Sequence, residues 1–128
     1  MSTIELTEPM FDETISSHDI VIVDWWASWC GPCLRFAPIF EQAAAQHDDI
    51  VFAKVDTEAD PGLAQAAGIM SIPTLMVFRE GVLVFAQPGA LPASALEELI
   101  GEVRQLDMSE VHRIVANRAG AASVTPAG

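Results

Sequence analysis

The sequence predicts an α/β domain: a central mixed β-sheet of four to five strands flanked by helices on both faces. Three observations carry this reading. Apolar, β-branched segments of strand length alternate with segments of helical periodicity, which argues for crossover connections and parallel pairing. The last two strand segments are separated only by Arg79, Glu80 and Gly81, which fits a tight hairpin and hence an antiparallel pair. A further helical segment follows that hairpin, so the core order βαβαββα describes a layered domain.

A short edge strand is expected at Thr3 to Leu6 and a helix at Glu8 to Ser17, with Thr7 as its N-cap ahead of a proline. Ile20 to Trp26 reads as a buried strand, an apolar run interrupted by Asp24. Helical spacing resumes over Cys33 to His47, followed by a strand at Val51 to Val55 and a short helix at Pro61 to Ala67 with Asp60 at its N-cap. Strands at Thr74 to Phe78 and Val82 to Ala86 form the hairpin. The helix at Pro92 to Gln105 carries Leu96, Leu99, Ile100 and Val103 on one face. Residues 1–106 thus read as one domain and residues 107–128 as a C-terminal extension. In that extension a short helix over Ser109 to Arg118, with Val111, Ile114 and Val115 on one side, precedes a disordered tail from Ala119 to Gly128.

Bulk properties narrow the function. With 128 residues, 51% of them hydrophobic, the chain can bury a core of its own. No stretch approaches the ~18 uninterrupted apolar residues of a membrane span. Met1 to Met10 holds Glu5 and Glu8, no Lys or Arg and no apolar block, so no secretory signal is read there and a cytoplasmic location is expected. Six Lys plus Arg against eighteen Asp plus Glu give a formal charge of -12, which disfavours nucleic acid and anionic lipid surfaces as partners. Most of that charge is read as a solvated, solubilising surface.

The chemistry is expected at Cys30 and Cys33. Two cysteines cannot form a disulfide framework in a chain this long, and a loop as short as theirs gains little from cross-linking, so a reactive pair is favoured over a staple. Three positions apart at the start of a helix, their α-carbons fall within the roughly 4.4 to 6.8 Å that a disulfide requires. At the helix N-terminus, free N–H groups and the helix dipole favour a thiolate, which makes Cys30 the expected nucleophile and Cys33 the resolving thiol. Gly31 lets another chain approach the sulfur, and Pro32 stiffens the turn where its missing N–H costs nothing. The rival chemistry, a zinc site completed by His18, His47 or His112, lacks a second ligand pair at metal spacing, so no metal is expected.

Other residues support the dithiol or have ordinary structural readings. Asp24 inside an apolar strand should have a raised pKa; it suits a proton acceptor for Cys33 as well as it suits a buried carboxyl held by backbone donors. Lys54, in the neighbouring strand, could restrain that rise, although a strand Lys is more commonly an edge or snorkelling residue. Pro73 opens a strand, and the ordinary expectation for its peptide bond is trans. Trp25 or Trp26 reads as core and Trp29 as a partly exposed substrate contact, with Met70 and Met76 as core or groove fillers.

The segment Trp29-Cys30-Gly31-Pro32-Cys33, preceded by Val23-Asp24-Trp25-Trp26-Ala27 and followed by Ala37-Pro38, Ala53-Lys54-Val55-Asp56 and Ser71-Ile72-Pro73-Thr74, resembles the thioredoxin family from about Thr3 to Gln105. The resemblance implies the thioredoxin fold and a protein disulfide oxidoreductase in which Cys30 attacks, Cys33 resolves, Asp24 is the buried acid/base group and Lys54 modulates it. It also implies a cis Pro73 whose loop lies against the dithiol. Ile72 then offers backbone hydrogen bonds to an extended client beside Trp29, Gly31 and Pro32, with Met70, Ser71 and Gly89 completing the groove. No cofactor is implied. Electrons come from NADPH through a flavin-containing thioredoxin reductase, the other partners are disulfide-containing client proteins, and the chain is expected to act as a monomer. Three departures bear on partner choice: Leu34 where a basic residue often follows the second cysteine, Pro88 before Gly89, and about twenty residues beyond the last helix. Loss of a cation at Leu34 predicts a slightly higher Cys30 pKa than is usual in the family, which a thiol titration checks. A non-catalytic adaptor and an oxidase or isomerase are the competing readings. The intact cysteine pair argues against the first, and the absence of an export signal against the second.

Overall fold

The apolar run Ile20–Trp26 forms β2, the central strand of a five-stranded mixed sheet in the computed structural model, which describes residues 3–124 and the side chains of residues 3–118. With β1 (Thr3–Glu5), β3 (Val51–Asp56), β4 (Thr74–Arg79) and β5 (Val82–Pro88), the order across the sheet is β1-β3-β2-β4-β5. β3 runs parallel to both β1 and β2, and β4 runs antiparallel to β2 and β5. The hairpin turn is tighter than the three intervening residues suggested, because Arg79 extends β4. Glu80 and Gly81 then turn the chain at φ of 52° and 81°, the two left-handed positions of a two-residue hairpin loop.

Side chains alternate across β2, and the alternation sorts the core into two layers. Ile20 and Ile22 pack with Phe36, Phe40, Leu96 and Ile100 from α2 (Gly31–Gln46) and α4 (Ala93–Arg104). Val21, Val23 and Trp25 pack on the opposite face with Ile15, Leu63 and Ala64 from α1 (Glu8–Ser17) and α3 (Pro61–Ala66). Asp24 lies, by the same alternation, on the α2 side.

Two caps differ from expectation. Neither Thr7 nor Asp60 caps its own helix through its side chain. Asp60 Oδ2 instead accepts the backbone N–H of Glu8 at 2.8 Å, which ties the first turn of α1 to the start of α3. Local spacing marks a cap residue but cannot say which helix it serves. Asp60→Ala is therefore expected to loosen α1 and lower stability by about 1 kcal/mol; an unchanged urea midpoint would remove Asp60 from this role.

The C-terminal extension is more ordered than its composition suggested. Arg79 Nη1 donates to the carbonyls of Val103, Arg104 and Leu106 and closes the end of α4. α5 (Met108–Val124) follows, capped by Asp107 Oδ1, which accepts the N–H groups of Ser109 and Glu110. The buried Met108 and a 2.7 Å contact between His112 Nε2 and Glu80 hold it to the domain. The short helix and disordered tail expected from Ala119 need correction through Val124: Ala119, Ala121 and Ala122 favour helix and no proline intervenes. Residues 125–128 of that tail lie outside the described residues.

Candidate active site

The dithiol sits where β2 hands over to α2. Cys30 and Cys33 form a disulfide with a Cα–Cα distance of 5.2 Å. α2 begins two residues earlier than the apolar spacing indicated because Cys30 is its N-cap: the Cys33 backbone N–H points at Cys30 Sγ at 3.2 Å. A backbone donor and the positive end of a helix directed at a sulfur are an arrangement that favours thiolate over thiol. Cys30 lines an open groove of about 440 Å³ and Cys33 does not, although both are buried, at 4% and 2% exposure.

Asp24 is fully buried, and neither carboxylate oxygen has a hydrogen-bond partner among the described residues. Backbone donors therefore do not account for it. Burial pushes its carboxyl from the ordinary 3.8 up to about 7, against a smaller opposing pull from Lys54. Parallel register puts Lys54 directly opposite Asp24. Its ammonium lies 4.7 Å from the centre of the Trp26 ring.

The groove brings together Trp29, Gly31, Pro32, Met70, Ser71 and Ile72 around Cys30, and adds Thr57, Ala64 and Ile69, which sequence reasoning had not singled out. Trp29 is 68% and Met70 96% exposed, so Met70 is a groove wall and only Met76 is core. The Ile72–Pro73 bond is cis, overturning the ordinary expectation of trans in favour of the one implied by resemblance. The Ile72 carbonyl oxygen lies 3.7 Å from Cys30 Sγ. Pro73 and Gly89 do not line this groove; they are joined to each other by a 2.8 Å bond from the Gly89 N–H to the Pro73 carbonyl, next to the lining residue Ile72. Gly89 has φ of 106°, a conformation that favours glycine.

Leu34 is half exposed, but the next residue supplies a cation that sequence reasoning also passed over. The Arg35 guanidinium lies over Gly31, within 3.3 Å of where a side chain there would begin. The three histidines are dispersed. His47 contacts Glu97 and Arg104, His112 contacts Glu80, and His18 contacts the carbonyl of its own Thr14.

The thioredoxin family profile matches residues 2–102, four-fifths of the chain and the whole of the site just described. The chain belongs to the thioredoxin family. It is 58% identical over 117 residues to the "Putative thioredoxin 2" of Streptomyces coelicolor, covering 91% of this chain and 87% of that protein. A similarity of that span reaches into α5. The thioredoxin of Alicyclobacillus acidocaldarius is 39% identical over 81% of this chain and all of its own length. Among solved structures, a mutant thioredoxin from Halobacterium salinarum superposes with a TM-score of 0.74 at 34% identity, over 81% of this chain and 91% of that one. Thioredoxin from Plasmodium falciparum gives 0.72 at 38%, over 78% and 97%. The fold, the family and a cysteine pair at disulfide distance make this chain a dithiol–disulfide oxidoreductase, of a family whose members work between a thioredoxin reductase and disulfide-bearing proteins. No described helix is long and apolar enough to cross a membrane.

Proposed function

We infer that this chain reduces disulfides in client proteins, with Cys30 as the attacking thiolate and Cys33 as the resolving thiol. The observation that carries the assignment is the asymmetry of the pair: Cys30 lines the groove and receives the Cys33 N–H, whereas Cys33, buried like Cys30, does not reach the groove. In the first step the Cys30 thiolate attacks one client sulfur, the client S–S bond breaks, and the second client sulfur leaves with the electron pair. Asp24 then takes the Cys33 proton, and the Cys33 thiolate attacks Cys30 Sγ. The mixed disulfide breaks, the client leaves with both sulfurs reduced, and Cys30–Cys33 is oxidised.

Lys54 modulates Asp24 in this scheme. An extended client segment lies between Trp29, Gly31 and Pro32 on one side and Met70, Ser71, Ile72 and Pro73 on the other, with Gly89 at the rim. Residues 1–106 form the catalytic unit and residues 107–128 its extension. The oxidised pair is returned to the dithiol by electrons from NADPH through a flavin-containing thioredoxin reductase, and the protein acts as a monomer in the cytoplasm. The test is reduction of insulin disulfides with dithiothreitol, then with NADPH and a thioredoxin reductase, as electron source. Turnover with both supports the assignment; turnover with neither overturns it.

A further inference from the structure

We propose that Trp26 is a positioning residue: its indole face holds the Lys54 ammonium off the buried Asp24 carboxyl, leaving that carboxyl free to take up and release a proton. The observation behind this is where Lys54 does not go. Register places it between two carboxylates, opposite Asp24 on β2 and opposite Glu5 on β1. Among the described residues it forms an ion pair with neither, and both Asp24 oxygens lack a partner. The contact it makes is with the Trp26 ring, 4.7 Å from Nζ to the ring centre. Trp26 follows Asp24 by two residues, so both side chains leave β2 on the same face. An indole face is the strongest aromatic partner for an ammonium, and the contact gains where water is partly excluded.

The electrostatic setting is sparse enough for one cation to matter. Leu75 stands opposite Asp24 on β4, and its neighbours Thr74 and Met76 do not titrate. The buried face of α2 offers only Cys33 as a titratable group, with Cys30 at the cap, and both are in the disulfide. Asp56, level with Trp26, has an oxygen already engaged by the N–H groups of Glu58 and Ala59. Lys54 is accordingly the charge that acts on Asp24. An ammonium in direct contact with a carboxylate typically lowers its pKa by about 1 to 3. Such a contact would leave Asp24 mostly ionised at neutral pH and a weaker acceptor for the Cys33 proton.

The catalytic meaning of this arrangement rests on Asp24 serving as that acceptor, but its geometry can be tested without activity. The experiment is an NMR titration of the Asp24 carboxyl, labelled with carbon-13, in the oxidised protein, comparing wild type, Trp26→Leu and Trp26→Phe, each with and without Lys54→Met. Trp26→Leu removes the π face and is expected to lower the Asp24 pKa by about one pH unit. Trp26→Phe keeps a weaker face and a closer volume, and is expected to give a smaller fall of the same sign. Adding Lys54→Met should abolish both falls, and its own effect should be larger in the Trp26→Leu background than in the wild type. An unchanged or raised Asp24 pKa in the Trp26 variants overturns the proposal, as does a fall that persists without Lys54, which would mean water entering the space vacated by the ring. Failure of the insulin assay would leave this titration untouched, so the two readings fail separately.

Discussion

Cys33→Ser is expected to turn the protein from a catalyst into a trap. The Cys30 thiolate still forms and still attacks, because its stabilising donor is the Cys33 backbone N–H, which serine retains. Resolution then lacks its nucleophile, and the mixed disulfide survives until an external thiol reaches it. Cys30→Ser removes the nucleophile itself and should lower turnover by roughly 10³-fold or more, with no adduct formed. Non-reducing electrophoresis of each variant with oxidised insulin checks both outcomes. The assignment hangs on the asymmetry of the pair, so the decisive contrary result is an adduct from Cys30→Ser and none from Cys33→Ser; that would exchange the two roles.

The parts of this molecule legible in the sequence are those whose cause is local. β2 announces itself through seven residues buried or nearly so on both faces, and α4 through the spacing of Leu96, Leu99, Ile100 and Val103. Cys30 and Cys33 are legible because a disulfide needs a separation that the start of a helix supplies. The parts that were missed depend on what distant segments bring. Asp60 reads as a cap from its neighbours, yet it caps a helix whose first turn lies 52 residues away. Thr57, Ala64 and Ile69 have nothing reactive about them and enter the groove only because α3 and its flanking loops pass beside the dithiol. Arg35 is not legible as part of the site because only the turn of α2 carries its guanidinium back over Gly31. For the last turns of α5 composition misleads: alanine-rich sequence without large apolar residues reads as tail, but alanine's helix propensity extends a helix that the Asp107 cap starts and Met108 anchors. Asp24 falls between these cases. Its burial was legible from the run around it, whereas the absence of any donor to it depended on the tertiary structure.

Asp24→Ala is expected to make the protein more stable at neutral and alkaline pH while making it a worse catalyst. Burial raises the carboxyl of the folded state from 3.8 to about 7, with Lys54 offsetting only part of the rise. Below the lower value the group is protonated in both folded and unfolded chains, and its ionisation contributes nothing to the balance. Between the two values the unfolded chain gives up the proton that the folded chain keeps, so stability declines as pH rises. Above the upper value both states are ionised and the folded protein carries the whole cost of a buried, unpartnered carboxylate. About three pH units at about 1.36 kcal/mol each set that cost on the order of 4 kcal/mol. The alanine leaves a small void, so a net gain of about 2 to 4 kcal/mol over wild type is expected near pH 8, shrinking to nothing or a slight loss near pH 3. Urea denaturation of both oxidised proteins across that range measures it. A gain of the same size at both ends would mean that packing rather than ionisation is responsible. The catalytic counterpart is a mixed disulfide with client that persists about tenfold longer or more, because Cys33 has lost its proton acceptor. A variant both more stable and equally fast would leave the buried carboxyl without a part in the reaction, and the energy spent holding it there without a purpose.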